Sequence, residues 1–118
     1  LYYPLRSRAE LGDEAAQIYW RTSHGPLIRS QASGSGILRY QQVHRFNSAL
    51  ENELRASRGT AVPAYMGHAE LWFDHGIQRV GRDVAAAGRR AIEDESKFID
   101  FKRSNIWFGK EHVFIDRM

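Results

Sequence analysis

Hydrophobic positions recur along this chain with two different periods. Leu1 to Arg6 is apolar and aromatic and reads as a strand. After a polar connection, Ser7 to Gly12, the spacing changes to three and four. Ala16, Tyr19, Trp20, Ser23 and Leu27 then share one face of a helix from about Asp13 to Gln31. Asp13 and Glu14 suit its start, where carboxylates meet the positive end of the helix dipole. Pro26 removes a backbone donor and crowds the preceding turn, so the helix is expected to kink between Thr22 and Gly25.

Ser33-Gly34-Ser35-Gly36 is a turn signal, and Ile37 to Phe46 follows as a strand. The two-residue alternation puts Leu38, Tyr40, Gln42, His44 and Phe46 on one side. Ile37, Arg39, Gln41, Val43 and Arg45 fall on the other. Asn47 to Gly59 is polar, with a short surface helix from Leu50 to Ser57, and Thr60 to Gly67 is a loop. His68 to Asp74 predicts a third strand, its two sides being Ala69, Leu71, Phe73 and His68, Glu70, Trp72, Asp74. A second long helix is expected from Ile77 to Glu95, weakened at Gly81 and Gly88 by about 1 kcal/mol each. Ser96 to Ser104 bends toward a last strand, Ile106 to Asp116, in which Phe108, Lys110, His112 and Phe114 alternate against Trp107, Glu111, Val113 and Ile115.

The predicted order is β-α-β-β-α-β, the ferredoxin-like split arrangement of the α+β class. Four antiparallel strands with both helices on one face leave the other face uncovered. Trp72, Trp107, Val113 and Ile115, or their alternates, would be exposed there, which argues for a partner. Two sheets closing face to face, as a homodimeric α+β barrel, would cover them.

Composition narrows the function classes. The 118 residues make one domain, 1–118, at 42% hydrophobic and 26% charged, ordinary values for a globular fold. No apolar run is long enough to span a bilayer, and no secretory leader is visible. The chain opens at Leu1 rather than at a methionine, which leaves room for preceding residues. There is no cysteine, which removes disulfides, thiolate nucleophiles and Cys-ligated metals and suits a cytoplasmic protein. Net charge is +3, with the basic residues scattered among acids rather than gathered in one patch, so no nucleic-acid partner is expected. A Gly-rich phosphate loop and a Gly-x-Ser-x-Gly elbow are both missing.

The run Trp20-x-x-x-His24-Gly25-Pro26-Leu27 resembles the signature of the EthD family of small dimeric α+β barrel proteins. Four further segments fit in order: Arg39-Tyr40-x-Gln42-x-His44, Gly67-His68-Ala69-Glu70-Leu71-Trp72-Phe73, Asp94-Glu95-x-x-Phe98-Ile99-Asp100 and Glu111-His112-Val113-Phe114-Ile115-Asp116. The family is named from a cluster for ethyl tert-butyl ether degradation. Related barrels include methylmuconolactone isomerases, cofactor-free quinone-forming monooxygenases and polyketide cyclases. The resemblance implies a pocket between sheet and helices in each subunit, working without metal or cofactor on a hydrophobic small molecule.

On that footing His24 is the candidate acid/base, against the alternative that it only hydrogen-bonds across the kink. Tyr40 and His44 point the same way, about 13 Å apart, with Gln42 between them. They complete the candidate catalytic set by orienting or polarising an oxygen. Their alternatives are a core aromatic and a strand-end polar residue. Trp20, Gln42, Phe73, Phe108 and His112 are expected against the ligand, although Trp20, Trp72, Trp107, Phe73 and Phe108 also suit core or interface. His68 and His112 lie near strand edges, but no metal-ligand spacing joins the histidines, so no metal is expected. His75 reads as a turn residue, and Glu93-Asp94-Glu95 as a solvated helix end. Two functional classes stay open: cofactor-independent isomerisation, dehydration or oxidation of a carbon acid, and a non-catalytic accessory protein that holds a ligand. A purely structural dimer would instead have a filled interior beside His24.

Overall fold

A computed structural model of the chain describes residues 1–73 and 82–118, with residues 82–84 described by their backbone alone. The strand end expected at Asp74, the turn expected at His75 and the helix start expected at Ile77 lie outside the described residues. The elements are β1 (Tyr2–Leu5), α1 (Gly12–Tyr19), a π-helical turn (Trp20–His24), α2 (Gly25–Ser35), β2 (Ile37–His44), α3 (Ala49–Ser57), β3 (Gly67–Phe73), α4 (Arg82–Glu95) and a 3-10 turn (Phe101–Arg103). Among the described residues the sheet has three strands in the order β1-β3-β2, both pairings antiparallel. The chain is thus α+β, and none of its described helices is long and apolar enough to cross a membrane.

The helices α1, α2 and α4 cover one face of the sheet. Between them lies the core, built from Leu5, Ala16, Trp20, Met66, Ala69, Phe98 and Ile99. Gly67 lets this layer close. Its φ of +154° falls where side chains are disfavoured, and a Cβ there would stand 2.2 Å from the Val43 carbonyl oxygen and 3.0 Å from the Trp20 ring. The bare backbone at Gly67 therefore makes room for the Trp20 indole on the sheet.

Two expected boundaries move for physical reasons. The first helix runs on through Ser33 and Gly34, because Gly36, with a left-handed φ of 74°, supplies the C-terminal stop. On β2 the register slips between Ile37 and Arg39, which pair with the adjacent residues Phe73 and Trp72. Leu38 is the extra residue and is exposed, and Ile37 takes the inward place that alternation gave to Leu38.

The expected fourth strand does not form over Ile106 to Asp116. Asn105 N–H bonds the Pro4 carbonyl at 3.0 Å, and Trp107 makes an isolated bridge with Tyr2. Beyond this bridge the chain makes no further ladder pairing with β1 among the described residues. Val113, Phe114 and Ile115 are left exposed. An earlier bridge, Ser7 with Ile99, ties the chain after α4 to the continuation of β1 and seats Phe98 and Ile99 in the core.

The second face of the sheet carries linked polar and aromatic groups. Tyr2 stacks on His68 at 4.4 Å. Glu70 accepts from Gln41 at 2.7 Å and from His68 at 3.0 Å. The Arg39 guanidinium lies over the Trp72 ring at 5.2 Å.

Candidate functional site

The expected kink takes the form of the π-helical turn. Gly25 N–H reaches back five residues to the Trp20 carbonyl, and Pro26, with no N–H, follows at once. The wider turn holds one more residue than a regular helix allows, so every inward position after it moves by one. Ala16, Trp20, His24 and Ile28 are the buried residues of this face, and Ser23 is exposed. A regular helix would have turned Ser23 and Leu27 inward. The irregularity is therefore what brings His24 into the interior, where it is only 5% exposed.

His24 Nδ1 lies 2.8 Å from Asp94 Oδ2 at the end of α4. The other Asp94 oxygen accepts the Tyr19 hydroxyl at 2.6 Å and stands 3.5 Å from Lys97 Nζ. Burial pushes the His24 imidazole below its ordinary value, with Asp94 opposing the shift. Burial would by itself raise the Asp94 carboxyl, but the hydrogen bonds from Tyr19 and His24 outweigh it and hold it below the usual carboxylate range. A neutral imidazole beside a carboxylate has its proton on Nδ1. Nε2, which has no hydrogen-bond partner among the described residues, keeps its lone pair.

A cavity of about 450 Å³ opens between the sheet and helices α2 and α4. Its walls are mainly apolar, including Leu5, Ile28, Ile37, Leu71 and Phe73, and its polar groups include Tyr3, His24, Gln31, Tyr40 and Glu95. The Tyr40 hydroxyl oxygen accepts from Gln42 Nε2 at 2.9 Å and from Trp20 Nε1 at 3.3 Å. Its own proton remains available to an oxygen in the cavity. Burial raises the Tyr40 phenol, more than the hydrogen bonds from Gln42 and Trp20 lower it, so it stays protonated.

The remaining candidates divide. Trp20 and Phe73 line the cavity. Gln42 sits beside it, on a cleft along α2, with its amide on the Trp20 carbonyl at 2.9 Å. His44 does not reach the cavity: it stacks on the Trp20 indole at 4.4 Å, and its Nε2 donates to Gln42 Oε1 at 2.7 Å. The strand face thus carries a relay in which His44 aims Gln42, and Gln42 aims Tyr40. Phe108 and His112 do not line the cavity. Both lie on the exposed segment after Trp107, where the Phe108 ring stands 6.3 Å from the Phe73 ring. His68 is on the other face of the sheet, separated from His24 by the strands.

Sequence reasoning missed Asp94, Glu95 and Tyr3. The three acids at the end of α4 are not one solvated group: Asp94 meets His24, and Glu95 lines the cavity. Burial pushes the Glu95 carboxyl up to about 7. The Asp94 charge adds to this rise, and a hydrogen bond with the Tyr3 hydroxyl opposes it. A signal was present, because carboxylates at the negative end of a helix dipole are disfavoured unless something compensates them.

Comparison with curated proteins and with solved structures gives no match. Among protein families, the model of the EthD domain matches residues 8–102, a span that contains the π-helical turn, β2, β3 and the Asp94-Glu95 pair. The chain belongs to the EthD family.

Proposed function

We propose that this protein binds a hydrophobic, oxygenated small molecule in the cavity beside His24 and moves a proton on it without a cofactor. His24 Nε2 takes the proton from a carbon next to a carbonyl. Asp94 holds the ring and steadies the imidazolium that forms, and Tyr40 donates its hydroxyl to the developing enolate oxygen. His44 and Gln42 position Tyr40 and do not touch the substrate. Phe73 and Trp20 contribute apolar wall. The working form is a cytoplasmic homodimer, in which a partner sheet covers the Tyr2–His68–Trp72 face and the segment after Trp107 completes a fourth, ferredoxin-like strand, closing an α+β barrel. Degradation of a hydrophobic metabolite suits such chemistry.

The observation that carries this reading is the His24–Asp94 pair beside an apolar cavity, with the second ring nitrogen unpartnered among the described residues. The test uses 2-tetralone, a two-ring ketone with an acidic C–H, in deuterated buffer. The protein should bind it, quenching Trp20 fluorescence, and speed deuterium uptake next to the carbonyl. His24→Ala should bind but lose the acceleration. Binding with no acceleration by the wild type would instead favour an accessory ligand carrier.

A further inference from the structure

Glu95 has no part in the chemistry described so far, yet it is placed for one. Asp94 and Glu95 are adjacent on α4, about 100° apart around the helix axis. The first faces the π-helical turn and fixes His24, and the second turns to the cavity that His24 also lines. Its surroundings come from three elements: Tyr3 of β1 and Tyr40 of β2 share the cavity wall with it, and Asp94 precedes it on its own helix. None of these is a cation. The walls around it, Leu71, Ala91 and Ile99 among them, are apolar. A carboxyl so placed is costly to ionise and keeps its proton into the neutral range.

We propose that Glu95 is the second proton-transfer group of the site, donating to one carbon of the ligand while His24 takes a proton from another. This rests on the proton-transfer reading and narrows it to isomerisation, with β,γ-unsaturated carbonyl compounds as the substrate class. His24 Nε2 removes the proton from the α-carbon. The C–H electron pair becomes a carbon–carbon double bond, and the carbonyl pair moves to oxygen, giving a dienolate held by Tyr40. The oxygen pair then re-forms the carbonyl, the double bond shifts into conjugation, and the γ-carbon takes the Glu95 proton. His24 ends protonated and Glu95 ionised. Passage of one proton from imidazolium to carboxylate restores both, and no oxidant or reductant is consumed.

The probe is cyclohex-3-enone, whose conversion to cyclohex-2-enone is followed by absorbance and whose α-deuterium uptake is followed by NMR. The wild type should do both, and His24→Ala neither. In Glu95→Gln isomerisation should fall about 10²-fold or more, and α-exchange by a much smaller factor. Isomerisation by Glu95→Gln at the wild-type rate, or equal loss of exchange and isomerisation, overturns the assignment and leaves the His24 reading standing. A wild type that does neither, or a fully active His24→Ala, overturns the underlying reading itself. Independently of any substrate, NMR of carboxyl-labelled glutamate should show Glu95 titrating near neutrality, and titration in the ordinary glutamate range overturns the proposal.

Discussion

His24 and Asp94, seventy residues apart in the chain, meet through a 2.8 Å contact between Nδ1 and Oδ2. The contact joins the π-helical turn to the end of α4 and selects the tautomer that leaves Nε2 basic. Asp94→Asn keeps the size of the side chain but removes the charge that favours an Nδ1 proton. Proton exchange on 2-tetralone should fall about 10²-fold, and stability by roughly 1–3 kcal/mol as a buried network loses an acceptor. The exchange assay beside a urea denaturation curve checks both.

Gly67 should tolerate no side chain. Its φ is +154°, and a Cβ would meet the Val43 carbonyl oxygen at 2.2 Å, a backbone atom that cannot step aside. Gly67→Ala is expected to cost roughly 2–4 kcal/mol. Thermal unfolding by circular dichroism reads this, and an unchanged midpoint would contradict the packing of Trp20 over β3.

Stability should depend on pH with opposing signs from the two sides of the cavity. The Glu95 carboxyl is raised from 4.5 to about 7 on folding, so its contribution is present below pH 4.5 and is lost as pH rises through about 7. The loss is roughly 3 kcal/mol at most. His24 is lowered from 6.5, so its contribution is present above pH 6.5 and is lost as pH falls through its folded value. Urea midpoints at about pH 5.5 and about pH 8 should show the wild type losing stability on the alkaline side relative to Glu95→Gln. Parallel changes in the two proteins would contradict a buried, protonated Glu95.

The open sheet face should be the dimer contact. Trp72→Glu removes the ring under Arg39 and sets a charge on the face that already carries Glu70, which a partner sheet would have to desolvate. Light scattering should show the wild type as a dimer and this variant as a folded monomer. A dimer that survives the substitution would place the contact elsewhere.

Much of the frame was legible because local rules decided it. Alternation marked three strands, and Pro26 marked the break in the first helix. What stayed hidden depended on one-residue slips and on distant partners. The π-helical turn exchanges Ser23 for His24 on the inward face, and nothing in the three-and-four spacing distinguishes those registers. The slip at Leu38 exchanges it for Ile37 in the same way. Asp94 and Glu95 look like surface acids until α4 is set against the π-helical turn and β1. The last strand alternates correctly, but alternation alone supplies no edge for it to pair with. Tyr40 could be placed at the cavity from β2, whereas His44, on the same strand face, could not be assigned its place behind Trp20.

The central claim is that a neutral His24 presents Nε2 to a ligand in the cavity. Nitrogen NMR of the ¹⁵N-labelled imidazole, recorded during titration with 2-tetralone, tests it most directly. The account expects Nδ1 to stay protonated throughout, and the Nε2 resonance to move as 2-tetralone binds. Saturable binding that leaves both His24 nitrogens unmoved would contradict it.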